Sequence, residues 1–381
     1  MAELSLQRSF NNLLRLVSNG DDTRQQNPNY PFRGESWGLR RCTPSGHPPG
    51  TPIDYDTLIE EIERRKPGRK GMSRRLESDE CEIMSGVHDG VATGWPILLL
   101  ARNNDARSKD YGFLPDHPRP GHADMVEIER SGGFTDLRGG GSQSARLTLG
   151  LVAAASQVRQ LLSAENISVR AGLYAVGERV ANSLVNLEPD SDIENTEMQR
   201  LNCCDPEMSK IFSIDVEASR KAGDSIGSAV ECLIEGLPMG IGEPWFDGIE
   251  PALARVMMAI PGARAVEFSK GFRSSTMKGS EHNDAWAIHE GMISQESESG
   301  NMPDGALGGR STGAPLRIVV HFKPPSSISK TQSTLHLPSG EKAPLNIKGR
   351  HDPVIGPRAV PVVEASAVLV IADLLEMAKE H

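Results

Sequence analysis

Leu137-Arg138-Gly139-Gly140-Gly141-Ser142-Gln143-Ser144-Ala145-Arg146 sets three glycines beside two capping hydroxyls, with an arginine on either side. Glycine lets the backbone approach a bound group closely, and Ser142 or Ser144 can cap a helix that follows. The free N–H groups and positive dipole end of such a helix favour an anion, and Arg138 and Arg146 carry charge suited to phosphate or carboxylate. The spacing of Leu147, Leu151, Ala154, Val158, Leu161 and Leu162 predicts that helix over Ser144–Ala164. Ile167, Val169, Ala171 and Leu173 then alternate as a half-buried strand, and Val230–Ile234 reads as another. Ala359–Lys379 reads as an apolar helix buried along much of its length. Helices interleaved with strands make this an α/β chain.

Working outward, the chain echoes itself. Gly34-Glu35-Ser36-Trp37-Gly38, then Pro49-Gly50-Thr51-Pro52, returns as Gly223-Asp224-Ser225-Ile226-Gly227, then Pro238-Met239-Gly240 and Pro244. A helical stretch ends at Pro67-Gly68 in one half and at Pro261-Gly262 in the other. Thr93-Gly94-Trp95-Pro96 before Ile97–Leu100 matches Thr312-Gly313-Ala314-Pro315 before Leu316–Val320, and His122-Ala123-Asp124 has a loose counterpart in His351-Asp352. The order is kept at an offset of about 190 to 230 residues, which argues for duplication rather than a short repeat. A single unit over residues 1–381 is expected, with pseudo-repeat halves near 31–180 and 218–376 and a cleft between them.

The totals set limits. A net charge of −10 over 381 residues argues against a general nucleic-acid binder. No run approaches the roughly 20 apolar residues of a membrane-spanning helix, and no signal-like stretch opens the chain, so a cytoplasmic location is expected. Five cysteines without a CxxC pair, and the absence of zinc-site or nucleophile-elbow spacings, lower the standing of disulfide, metal and serine-hydrolase chemistry. No metal is expected. Arg64, Arg65, Lys66, Arg69, Lys70, Arg74 and Arg75 form a basic run without an acid, in a chain where acids outnumber bases, and this run is expected to meet an anionic substrate. Asn19–Tyr30, Leu187–Ser209 and Glu296–Gly305 are polar and read as exposed insertions.

Three further loops can carry chemistry. His122 in Arg119-Pro120-Gly121-His122-Ala123-Asp124 sits beside an acid in a Pro/Gly turn, where an imidazole can move protons near neutral pH. Lys323-Pro324-Pro325-Ser326-Ser327 puts a cation and two hydroxyls after an apolar run, a set suited to phosphate. Gly349-Arg350-His351-Asp352-Pro353 is a charged turn ahead of the last helix.

Taken together and in order, these segments resemble chorismate synthase. The resemblance rests on Gly34-Glu35-Ser36, Arg64-Arg65-Lys66-Pro67-Gly68, Arg107-Ser108-Lys109-Asp110-Tyr111, Arg119–Asp124, Arg138–Gly141 with Ser144-Ala145-Arg146, and Gly223-Asp224-Ser225. It continues through Gly308-Gly309, Lys323-Pro324, Ser326-Ser327, Gly349–Pro353 and Arg358-Ala359-Val360-Pro361. It implies a β-α-β sandwich with two duplicated halves and antiparallel sheets around a helical core, assembled as a homotetramer. It implies reduced FMN as cofactor and elimination of phosphate from 5-enolpyruvylshikimate 3-phosphate to give chorismate, in shikimate-pathway aromatic amino acid biosynthesis, with NADP as a linked cofactor. By the same resemblance His122 protonates the reduced flavin, while Asp352, relayed through Ser36, helps remove a proton from it. Ser144, Gly308, Lys323, Pro324, Ser326, Ser327 and Arg350 match flavin-contacting positions, and Arg65, Arg138 and Arg146 match positions near the substrate anions. Without a reductase domain in the chain, reduced flavin is expected from another protein.

Departures fall on those same walls. Trp37 stands where the family has the histidine proposed to protonate the leaving phosphate, and loss of a placed general acid typically costs about 10²- to 10⁴-fold in rate. Ser142-Gln143-Ser144 replaces Arg-Ser-Ser, Gly71 replaces a basic residue, Pro325 replaces threonine, and Asn19–Tyr30 is an insertion. Two other readings therefore stand beside the synthase: a diverged flavin-dependent lyase acting on a related cyclic acid, and a non-catalytic ligand-binding paralogue.

Overall fold

The computed structural model describes residues 35–39, 47–66, 79–101, 111–137, 141–187, 201–289, 291–297, 302–347, 349 and 351–379. The first half runs β1 (Glu35–Leu39), α1 (Tyr55–Arg65), β2 (Cys81–Ser85), a short hairpin of β3 (Val87–His88) and β4 (Val91–Ala92), and β5 (Ile97–Ala101). Then come α2 (Asp124–Arg130), α3 (Leu149–Ala164), β6 (Ser168–Val176), β7 (Arg179–Val180) and α4 (Pro206–Lys221). The second half runs β8 (Ser228–Glu235), α5 (Ile249–Ala259) and β9 (Ala263–Phe268), then the hairpins β10 (Ala285–His289) with β11 (Met292–Glu296) and β12 (Ala306–Leu307) with β13 (Arg310–Ser311). It closes with β14 (Leu316–Phe322), β15 (Gln332–His336), β16 (Glu341–Leu345) and α6 (Gly356–Ala378).

One sheet has the order β1-β5-β2 and the other β7-β6-β8-β14-β9. Thus β5 lies between β1 and β2 just as β14 lies between β8 and β9, with antiparallel pairing throughout. The helices fill the space between the sheets: α3 packs on β1 and β5, α6 on β6 and β8, and the two helices on each other. This is a sheet–helix–sheet sandwich, the α/β architecture expected from the sequence.

Why α6 belongs in the middle is plain from its residues. Buried positions run from Gly356 almost unbroken to Leu374, so every side of the helix faces protein. Ala153, Ala154 and Ala155 give α3 a small-residue surface that lets the two helices approach closely. Pro361 inside α6 cannot donate the hydrogen bond that the Pro357 carbonyl would otherwise accept. Asn202 Nδ2 supplies it instead at 2.6 Å.

Charge is buried at the centre. Glu364 on α6 accepts from Arg159 of α3 at 2.6 Å, from Arg64 of α1 at 3.2 and 3.1 Å, and from the Ala171 N–H of β6 at 3.0 Å. Glu61 adds a second carboxylate, 2.9 Å from Arg64 and 3.3 Å from Arg159. Burial pushes the Glu61 carboxyl upward and the Glu364 charge adds to it. Burial acts in the same sense on Glu364, but the Arg64 and Arg159 charges outweigh it and hold that carboxyl below its usual range.

Some expectations shift. Glu35–Leu39 is a strand, its Ser36 and Trp37 opposite Leu100 and Leu99 of β5, where the sequence reads as a loop. The helix predicted from Ser144 starts as a 3-10 turn over Ala145–Thr148 and becomes α-helical at Leu149. Ser209, placed by its polarity in an insertion, lies in α4. There Asp205 caps the Glu207 and Met208 N–H groups, each at 3.0 Å, and Pro206 fits the first turn. The insertion at Asn19–Tyr30 lies outside the described residues. Among the described residues no helix is long and apolar enough to cross a membrane.

Removing Glu364 leaves Arg64 and Arg159 to share the Glu61 carboxylate and leaves the Ala171 N–H without its acceptor. Glu364→Ala is expected to cost about 3–5 kcal/mol, measured as a lower urea midpoint at constant slope; a loss under about 1 kcal/mol would show the cluster to be dispensable.

Candidate functional site

Two loops far apart in sequence meet at one end of the sandwich. The first, Arg119–Asp124, is a tight turn leading into α2; the second, Lys323–Ser327, follows β14. Lys323 Nζ and Ser326 Oγ both donate to the Gly121 carbonyl, Ser326 at 2.7 Å, and Lys323 also reaches Ser326 Oγ at 3.1 Å. Gly121 has φ +66, and a Cβ there would lie 3.3 Å from Ser326 Oγ, so glycine serves both the turn and the close approach. Arg119 Nη1 donates to Ser327 Oγ at 3.0 Å, and Thr334 of β15 to the Pro118 carbonyl.

Arg119 organises the first loop. Its Nε and Nη2 donate to the two oxygens of Asp124 at 2.7 and 2.6 Å, and its backbone N–H adds a bond of 3.0 Å. The guanidinium lies over the rings of Tyr111 and Phe113, 5.5 and 6.0 Å from their centroids. His122 Nδ1 is 2.7 Å from Asp124 Oδ1, with the imidazole side chain 23% exposed. Burial alone would raise the Asp124 carboxyl, but the hydrogen bonds and charges of Arg119 and His122 hold it well below the usual carboxylate range. Lys323 also moves below its ordinary value: partial burial, then the Arg264 charge, lower its ammonium.

A second cluster braces the glycine-rich segment. Arg65 is buried and its Nη2 donates to the carbonyls of Ala145 and Arg146 at 3.0 and 3.1 Å, while Nη1 meets Asp79 at 3.4 Å. Arg146 reaches the same Asp79 at 3.5 Å, and Thr148 Oγ1 closes on the Ala145 carbonyl at 2.6 Å. Ser144 caps the 3-10 turn, its hydroxyl accepting from the Arg146 N–H at 3.3 Å. Arg358 joins this cluster to the last loop, donating to the Arg65 carbonyl at 3.3 Å and to Asp352 at 2.9 Å.

His122, Lys323, Ser326 and Ser327 are therefore brought together, and Pro324 lies exposed in the same loop. Ser144, Arg146, Arg65 and Asp352 belong to the bracing cluster. Arg65 faces inward rather than toward an open basic surface, because Asp79 and two carbonyls satisfy its donors in the core. Gly308 sits in the β12–β13 turn, whose hydrogen bonds run to the Gly242–Ile249 segment (Gly309 carbonyl to Ile249 N–H, 2.8 Å; Arg310 Nε to the Gly242 carbonyl, 3.3 Å). Arg138, Arg350, Gly139, Gly140 and residues 67–78 of the basic run lie outside the described residues, as do the side chains of Ser36, Trp37 and Ser142. Sequence reasoning missed the work done by Arg119. The signal was there: an arginine and an aspartate of opposite charge on either side of a Pro-Gly turn.

The fold and this junction define an enzyme scaffold: a rigid sandwich presenting an imidazole, an ammonium and hydroxyls from facing loops. A family model described as chorismate synthase matches residues 30–375. The chain is 41% identical over 348 residues to the chorismate synthase of Methanosarcina mazei, covering 90% of this chain and 93% of that protein. With the chorismate synthase of Aeropyrum pernix it is 44% identical over 334 residues, covering 87% and 86%. A solved structure titled as a crystal structure of chorismate synthase superposes with a TM-score of 0.62 at 25% identity, covering 87% of this chain and 86% of that one. The chain belongs to the chorismate synthase family, and as such is a carbon–oxygen lyase.

Because Asp124 is held below its unfolded value of about 3.9, it adds stability that is fully present above about pH 4 and lost as pH falls toward the folded value. Asp124→Asn is therefore expected to destabilise more at neutral pH than near pH 3. Urea titrations of both proteins at the two pH values check this; equal losses at both would contradict it.

Proposed function

We propose that the protein eliminates phosphate from 5-enolpyruvylshikimate 3-phosphate to give chorismate, using reduced FMN. The observation that supports this reading best is the junction of the His122 turn with the Lys323–Ser327 loop. An ammonium and two hydroxyls suit a phosphate group. Lys323, Pro324, Ser326 and Ser327, with Ser144, Gly308 and Arg350, would hold the flavin, which when bound supplies and recovers electron density without net redox change.

The reaction breaks a C–O bond to phosphate and removes a ring proton. His122 offers the ring nitrogen turned away from Asp124 for proton exchange with a bound group. Arg138 and Arg146 present positive charge to the substrate anions and favour the departing phosphate, and Arg65 braces the Arg146 carbonyl. Asp352, relayed through Ser36, would help remove a proton from the reduced flavin, with Arg358 fixing the Asp352 carboxylate. Trp37 favours a second reading, a flavin-dependent lyase on a related cyclic acid, because an indole cannot act as the acid that the family places there.

The collinear strand orders β1-β5-β2 and β8-β14-β9 support two duplicated halves, about 31–180 and 218–376. A homotetramer fits the exposed Trp286, Ile288 and Ile293 of the β10–β11 hairpin. Cytoplasmic location, NADP-linked supply of reduced flavin and a separate reductase complete the proposal.

Anaerobic titration with reduced FMN is expected to give a spectral change, followed by release of phosphate and formation of chorismate from the substrate. No spectral change would rule out both enzymatic readings. Binding without phosphate release would favour the second, and a rate gain of about 10²-fold or more in Trp37→His would identify the missing acid.

A further inference from the structure

The His122 ring nitrogen Nδ1 has two polar neighbours that make opposite demands. Asp124 Oδ1 lies 2.7 Å away and can only accept; Arg119 Nη2 lies 3.1 Å away and can only donate. One nitrogen cannot satisfy both. If Nδ1 carried its lone pair, it would face a carboxylate lone pair at 2.7 Å, at an oxygen with its own charge fixed by Arg119. If Nδ1 carries hydrogen, the short contact becomes a charge-assisted bond, and Arg119 Nη2 still has its own bond to Asp124 Oδ1 at 2.6 Å. The shorter, charged contact decides.

We propose that Asp124, clamped by Arg119, is a positioning residue that locks neutral His122 in the Nδ1–H tautomer and leaves the Nε2 lone pair available to a bound group. The clamp makes this possible. Asp124 is 6% exposed and each of its oxygens receives two contacts, Oδ1 from Arg119 Nη2 and His122 Nδ1, Oδ2 from Arg119 Nε and the Arg119 N–H. The carboxylate therefore cannot turn, and Arg119 cannot swing because Tyr111, Phe113 and Ser327 hold its other faces. His122 Nε2 has no hydrogen-bond partner among the described residues. The consequence is directional. Nε2 is the atom that takes a proton from, and returns it to, a group in the cleft, while Nδ1–H never leaves its carboxylate.

For its catalytic arm this rests on the proposed function; for the tautomer it does not. The unsubstituted protein, labelled with ¹⁵N-histidine and assigned by the resonances lost in His122→Gln, is examined by NMR with the pH raised until its ring shifts no longer change. Nδ1 protonated and Nε2 unprotonated is the expected pattern; the reverse overturns the proposal whatever the enzyme does. In Asp124→Asn the two tautomers are expected to mix, and kcat to fall about 10- to 100-fold with KM changed less than about threefold. Asp124→Glu is expected to recover the tautomer and part of kcat. A kcat unchanged in Asp124→Asn, or a loss confined to KM, overturns the positioning role, whereas a protein inactive before any substitution would refute only the reaction assigned above.

Discussion

Everything in this sandwich leans on one carboxylate. Glu364 sits in the middle of the apolar helix α6 and touches the first helix, the third helix and an inner strand at once. Burying a lone carboxylate in such a place costs several kcal/mol, and two arginines and a backbone N–H offset that cost only if all four elements stand in register. The cluster thus does more than stabilise. It makes the mutual placement of α1, α3, α6 and β6 a condition for folding at all, in a core where small side chains alone would tolerate sliding.

The site inherits that placement through adjacent residues. Arg64 turns toward Glu364, and Arg65, next along the same last turn of α1, turns the other way to hold Ala145, Arg146 and Asp79. Two consecutive guanidiniums therefore couple the centre of the fold to the glycine-rich segment, and Arg358 at the start of α6 returns the link to Asp352. The His122 turn is tied in separately, through Lys323, Ser326 and Ser327, to the end of β14, an inner strand of the larger sheet.

Much of this could be read from residue order. The long apolar helix and the alternating strand before Val176 follow from periodicity, which burial enforces directly. The Pro/Gly turn at His122 and the hydroxyls after Lys323 were legible because each loop carries its chemistry locally. What could not be read is what depends on partners distant in the chain. Nothing near Arg65 says that its charge is consumed by Asp79 and two carbonyls, and nothing near Pro361 says that Asn202 will serve the carbonyl it orphans. The α4 start at Asp205-Pro206 was a local signal, hidden by the polar segment before it.

The hydrogen bonds from the Lys323 loop to Gly121 span about two hundred residues of chain. A nascent polypeptide passing through a ribosome would therefore carry the imidazole turn for a long interval before the cation that pairs with it has been made, and α6, the wedge between the sheets, comes later still. The junction of the two loops is thus a product of distant segments rather than of any one of them. A chain arrested before Lys323 has the imidazole turn without the ammonium and hydroxyl that hold the Gly121 carbonyl, so half of this junction is missing rather than weakened.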